Sequence, residues 1–217
     1  MLHGVFAMES CHRRWIRYFQ DVLAYVCSLY PAYISCSFTY SIFLKFIGGV
    51  SPITFFKKIK NVALFAFSTS SSAATIPVTL KTVNQDLGVN QNVASFVVPV
   101  GATINMDGTA IMQGLATVFI AQMSGIDLTL FQYGQVVLLA VATSIGTAAV
   151  PSAGTITLII ILQQFNLPLE AIGIILAVDR VLDMIRTSVN VTGDAAIACI
   201  VAKSENQLDE TIFNSRQ

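Results

Sequence analysis

LTLFQYGQVVLLAVATSIGTAAVPSAGTITLIIILQQFNLPL (128–169) contains no Asp, Glu, Lys or Arg. Drawn as one helix it would be roughly 63 Å long, about twice the ~30 Å hydrocarbon core of a bilayer. The stretch must therefore fold back on itself. The turning point is SIGTAAVPSAG (144–154), where small residues, glycine and proline interrupt the apolar run. An arm of about ten residues rises about 15 Å, half the hydrocarbon thickness. The stretch thus reads as a re-entrant helical hairpin whose tip reaches mid-membrane, where non-helical backbone must lie inside protein or against a water-filled cavity. An ordinary pair of crossing helices with a small-residue loop fits the same spacing.

The whole chain shares this character. Of its 217 residues 54% are hydrophobic and only 11% charged, with a mean hydropathy of +0.70. A soluble domain carries about 25% charged residues, so an integral membrane protein in contact with the lipid bilayer is expected. Net charge is zero, which implies no nucleic-acid partner. The cysteines, Cys11, Cys27, Cys36 and Cys199, form no CxxC pair and sit in or beside apolar stretches, which reads as buried free thiols. Arg13, Arg14 and Arg17 are not followed by a short apolar core and a small-residue cleavage site, so no cleavable signal is expected. An enzyme is not indicated: His3 and His12 lie near the N-terminus, and the serine-rich stretch has no base partner in view.

Outward from the hairpin, four more apolar segments can be read. The first runs from about Val22 to Ile47 and ends at GGVSP (48–52), before a basic cluster of Lys57, Lys58 and Lys60 that should lie on the cytoplasmic side. A second, about Asn61 to Lys81, is split by STSSSAATIP (68–77) and has the same arm–break–arm design as the quoted stretch. A third, Leu87 to Met123, is broken at GATINMDGT (101–109), and the last runs from about Leu167 to Ala202. A polar tail, KSENQLDETIFNSRQ (203–217), should be weakly ordered.

In the third segment Asn105, Asp107 and Thr109 are two residues apart, a spacing that turns neighbours about 200° around a helix. They share a face only if the helix unwinds there, which Gly108 would permit. Unwinding frees carbonyl oxygens, and these with an adjacent carboxylate form a hard-cation site. A single aspartate hydrogen-bonded to a neighbouring helix is the simpler alternative.

DRVLDMIRTSVNVTGD (179–194) puts charges inside the last apolar segment. Asp179, Asp183, Arg186, Asn190 and Asp194 follow at intervals of 4, 3, 4 and 4, which places them within an arc of roughly 80°. Ionisable groups are costly in lipid, so this stripe should face the protein interior. Asp183 and Arg186 could simply pair at i,i+3, but that leaves Asp107, Asp179 and Asp194 unexplained. Counting Arg180 and Arg186, the acids are still in excess by two; bound cations would neutralise them. Arg186 would then be left to take an anionic group, a carboxylate being bound bidentately by its planar fork.

SSSAATIPVT (70–79), GATINMDGTA (101–110), SIGTAAVPSAG (144–154) and DMIRTSVNVTGD (183–194), in that order, resemble the dicarboxylate/amino acid:cation symporter family, the glutamate transporters. The likeness runs from about Val50 to Lys203. It implies an all-α membrane protein with transmembrane helices, two re-entrant helical hairpins and an unwound helix, as in the family's transport domain. On that pattern 1–50 is an N-terminal segment with one transmembrane helix and 51–203 is the transport-domain core. The core divides into a hairpin (51–86), a broken helix (87–124), a gate hairpin (128–166) and a polar-striped helix (167–203), with 204–217 as the polar tail.

The resemblance also implies roles. The substrate's side-chain carboxylate goes to Arg186, helped by Thr109, and its amino group to Asp183 and Thr187. Its main carboxylate goes to Ser72, beside Ser71, and to Asn190, with backbone from Ala149 and Val150 to Gly154 closing over it. One sodium ion would sit among Gly101, Asn105, Asn190 and Asp194, and a second among Thr103, Ser144, Ile145 and Thr147. A third would involve Asn105 and Asp107, completed in the family by a helix not found here. The implied function is sodium-coupled secondary active symport of glutamate or aspartate in a plasma (inner) membrane, as a homotrimer where the full-length scaffold is present. A non-transporting fragment of such a carrier, or a symporter of C4-dicarboxylates or neutral amino acids, is the alternative. A dicarboxylate-selective relative is expected to lose the acid at 183.

Departures from the family sharpen these expectations. The chain matches most of the mobile transport domain without the static scaffold, as a truncated or split gene product would. Gln113 stands where proton-coupled relatives have a glutamate. Arg180, about one turn from Asp183, would supply a positive charge that other members place on the serine-rich tip or at Met184.

Overall fold

The computed structural model describes residues 2–215, with side chains from Phe19 onward. Its helices are α1 (Leu2–Phe46), α2 (Pro52–Thr69), α3 (Ser72–Gln85), α4 (Gln91–Ile104), α5 (Asp107–Met123), α6 (Leu130–Ser144), α7 (Ala153–Gln164), α8 (Ile172–Ser204) and α9 (Glu210–Asn214). Among the described residues there is no β-sheet, only an isolated antiparallel bridge between Val89 and Leu208.

Local chemistry sets the breaks. Ser51 caps α2, its hydroxyl accepting the Thr54 N–H, with Pro52 in the first turn where a missing N–H costs nothing. The chain leaves α2 through Ser70 at φ 51°, and Ser71 turns extended to cap α3, accepting the Ala74 N–H. Thus the serine run is one left-handed residue, one N-cap and the first residue of the next helix. Thr129 and Gln132 form a reciprocal capping box at the start of α6. Between α6 and α7 the turn passes through Gly146 and Ser152, both at positive φ.

The α8 helix is central. It packs against α1, α2, α4 and α5, while α2 packs on α3 and α6 on α7 as two adjacent helix pairs. Every residue from Val189 to Ala196 is buried. Leu29, Leu44, Phe55, Ile59, Met112, Ile120, Leu158 and Ile161 fill the core around it. Large apolar side chains also cover the outside, among them Ile34 and Phe38 on α1 and Leu130, Phe131 and Leu138 on α6. Apolar surface of that extent suits lipid better than water. Among the described residues one stretch, Phe19–Phe46, is long and apolar enough to cross a membrane. The α6 and α7 arms are about 22 and 18 Å long, well short of the ~30 Å hydrocarbon core.

Three expectations are corrected. The tail is ordered over its described residues, to Ser215: α9 places Phe213 at 1% exposure in the core. Nζ of Lys58 donates to the carbonyls of Asp86 (2.8 Å) and Ile212 (2.6 Å). One aromatic and one buried ammonium outweigh the tail's polar composition. By the same contacts Lys58 is removed from the exposed basic cluster, which keeps Lys57 and Lys60. Cys27 is exposed on the outer face of α1 and Cys36 half-buried; only Cys199 is a buried thiol, and the Cys11 side chain lies outside the described ones.

Candidate functional site

The polar stripe of α8 faces inward. Asp179, Asp183, Arg186, Asn190 and Asp194 are between 2% and 4% exposed. Arg186 is not left over, however. Its Nη2 lies 2.6 Å and its Nε 3.1 Å from Asp183 Oδ1, and Nη1 is 3.5 Å from Asp179 Oδ1. Both carboxylates have further partners: Thr155 Oγ1 donates to Asp179 (2.6 Å), and the Ser152 N–H (2.7 Å) and Thr187 hydroxyl (3.3 Å) donate to Asp183. Among the described residues Nη1 of Arg186 and Oδ2 of Asp179 remain buried without a hydrogen bond. Such orphans are rare in protein interiors.

The two inter-helix breaks meet above this cluster. The Ser71 hydroxyl (2.8 Å) and the Ala73 N–H (3.1 Å) both donate to the Ala149 carbonyl. Gly146 N–H donates to the Thr103 carbonyl at 3.0 Å, tying the second break to the end of α4. Gln113, fully buried, stitches both arms of that pair to α5: its Nε2 donates to Gly154 O (3.0 Å) and Thr157 Oγ1 (2.7 Å), and Thr143 Oγ1 donates to its Oε1 (2.9 Å). The cavity beneath touches Ser70, Ser72, Thr109, Val150, Asp183 and Arg186 and measures about 20 Å³. That is room for about one water. Anything larger needs the tips to part.

On the α5 side, Asn190 Oδ1 accepts the Gly108 N–H (2.8 Å) and its Nδ2 donates to Thr109 Oγ1 (3.3 Å). The helix is interrupted at Asn105–Met106, and Gly108 already belongs to α5. Gly108 is therefore not the hinge: a Cβ there would sit 2.9 Å from Asn190 Oδ1 and 3.0 Å from Arg186 O, so the position serves close approach to α8.

The residues considered for cations fall into separate groups. Gly101, Asn105 and Asp194 come together, Asn105 Nδ2 donating to Asp194 Oδ1 at 3.0 Å. Thr103 meets the segment holding Ser144, Ile145 and Thr147 through the Gly146 bond. Asp107 lies on the exposed side, where the Tyr40 hydroxyl of α1 donates to its Oδ2 at 2.5 Å. Among the described residues no three His, Cys, Asp or Glu side chains gather in a metal cluster. Carboxylate oxygens without nitrogen or sulfur ligands suit a hard cation better than a transition metal. Arg180 is exposed, on the outer face of α8. Among the described residues Arg186 is the one buried arginine; it pairs with Asp179 and Asp183, while Asp194 and Asp107 have no arginine beside them, a larger acidic excess than the sequence count suggests.

Tyr40, Ser152 and Thr155 were not legible as site residues. Tyr40 had one signal, the recurrence of Tyr25, Tyr33 and Tyr40 at intervals of eight and seven on α1. Thr155 and the Ser152 amide had none, since their partners are distant in sequence.

Residues 3–204 match the sodium:dicarboxylate symporter family. Excitatory amino acid transporter 2 of Homo sapiens is 47% identical over 160 residues, which is 73% of this chain and 28% of that protein. An excitatory amino acid transporter of Caenorhabditis elegans is 46% identical over 151 residues, 70% of this chain and 30% of that protein; one of Onchocerca volvulus is 45% identical over 151 residues, 70% and 31%. The chain spans under a third of the length of these curated relatives. Four motifs in family order, and a match across nearly the whole chain, lead to one conclusion: the chain belongs to the sodium:dicarboxylate symporter family.

Proposed function

We propose that this chain is the substrate- and ion-binding part of a sodium-coupled secondary symporter for acidic amino acids, acting in a plasma (inner) membrane. The observation that carries this is the buried Arg186, clasped by Asp183 and Asp179 directly beneath two meeting helix breaks. Glutamate or aspartate fits by exchange of partners. Its side-chain carboxylate takes Arg186, its ammonium takes Asp183 in place of the guanidinium, and every buried charge keeps a partner. Its main carboxylate falls to Ser72 and Asn190, with the backbone of Ala149 to Gly154 above it. A neutral amino acid leaves Arg186 with only the longer contact to Asp179, and a C4-dicarboxylate leaves Asp183 without an ammonium partner. Either mismatch leaves a buried charge poorly paired, which is destabilising.

The acidic excess supports the coupling. Sodium near Asp107 and near Asp194 offsets carboxylate charge that otherwise repels an anionic solute, and linkage makes the effect reciprocal. The helix pairs act as re-entrant hairpins, their tips parting to admit substrate. Those tips are joined by hydrogen bonds to one carbonyl, each contributing about 1 kcal/mol, so parting them costs far less than unfolding. The test is uptake of labelled aspartate and glutamate by the full chain in proteoliposomes, with and without an inward sodium gradient. Gradient-dependent accumulation is expected. Uptake that ignores sodium contradicts the reading.

A further inference from the structure

Helix α1 turns three buried tyrosines, Tyr25, Tyr33 and Tyr40, toward the interior. Among the described residues the first two hydroxyls have no hydrogen-bond partner. Tyr40 does: its hydroxyl donates to Oδ2 of Asp107 at 2.5 Å, and no other side-chain hydrogen bond reaches Asp107 among the described residues. The approach depends on α8. At Gly193 a Cβ would collide with the Tyr40 hydroxyl and lie 2.5 Å from Asn105 Nδ2. Asn105 in turn donates to Asp194 at 3.0 Å. Tyr40, Asn105, Asp107 and Asp194 are thereby gathered around one residue that has no side chain. Among the described residues Oδ1 of Asp107, on the exposed side, has no hydrogen-bond partner.

We propose that Tyr40 is a positioning residue for cation capture at Asp107. Its hydroxyl fixes the carboxylate so that the second oxygen is presented to a monovalent cation, and Gly193 is the gap that admits the hydroxyl. The inference rests on the proposed sodium-coupled function. A carboxylate at the first residue of a helix has rotamers to choose among, and an oriented ligand binds more tightly than a mobile one. Removing such an outer partner costs about tenfold or more in ion affinity.

The experiment measures radiolabelled sodium binding to the purified full chain in lipid nanodiscs, without amino acid. Tyr40→Phe should weaken the sodium affinity about tenfold while leaving the melting temperature within a few degrees. Asp107→Asn should weaken it further, and the Tyr40→Phe/Asp107→Asn double variant should be no weaker than Asp107→Asn alone. Wild-type affinity in Tyr40→Phe, or additive losses in the double variant, overturns the inference and leaves the symporter reading standing. No sodium binding by the wild-type chain overturns both.

Discussion

Arg186 lies 2.6 Å from Asp183 and 3.5 Å from Asp179, so the guanidinium is balanced before any ligand arrives. Arg186→Ala therefore acts twice. It should abolish acidic amino acid binding, a loss above about 100-fold, because truncating a buried charged partner costs 3–5 kcal/mol. It should also lower thermal stability, since two buried carboxyls lose their shared cation. Binding isotherms and a melting curve on the same preparation check both. Asp183→Asn keeps an acceptor for the Ser152 N–H but gives up the ammonium partner; competition assays should show preference moving from aspartate toward a plain C4-dicarboxylate. Unchanged preference contradicts the role given to Asp183. The stripe that holds these groups was legible because its spacing follows the helical repeat. That Arg186 is already in an ion pair is less legible, because spacing shows which face a side chain is on and not which neighbour it takes. The role of Gly108 is hidden for a similar reason: the sequence shows that a side chain is missing and not whether the backbone or a neighbour requires it.

At the scale of elements, the breaks in all three interrupted segments were readable. Serine, glycine and proline runs mark them, and left-handed Ser70, Gly146 and Ser152 occupy two of the turns. The C-terminal element was not readable. Its composition is polar, and only the tertiary fold shows that Phe213 has a pocket and Lys58 has carbonyls to bind. Lys58→Ala should release α9 and cost about 2 kcal/mol, the scale of a hydrogen bond to a charged group. Faster amide exchange over 209–215, with exchange in α8 unchanged, is the expected signature. The α9 cap adds a pH dependence. The Asp209 carboxylate accepts from the Thr211 hydroxyl and from the Thr211 and Ile212 amides, and these hold its pKa below the usual aspartate value. A depressed carboxylate stabilises the folded form above its unfolded value of about 3.9 and loses that contribution as pH falls through the lower folded value. Protection of α9 should thus be flat from neutral pH to about 5 and decline below about 4; a decline beginning near neutrality contradicts the capping role.

Across the whole molecule, α8 links the parts. Its charged stripe faces the α4 end and α5, and it also packs on α1 and α2, so an ion near Asp194 and a solute at Arg186, as proposed, would act on one helix. Asp194 and Arg186 are eight residues apart, about 12 Å along the axis. Charge added at one end is felt at the other through a weakly screening interior. On the proposed function, cation charge beside these carboxylates is what permits an acidic amino acid to bind. Titration calorimetry of aspartate into the purified full chain in sodium buffer and in choline buffer measures that dependence. At least a tenfold tighter affinity is expected in sodium, about 1.4 kcal/mol of coupling; equal affinity in the two buffers would overturn the proposal.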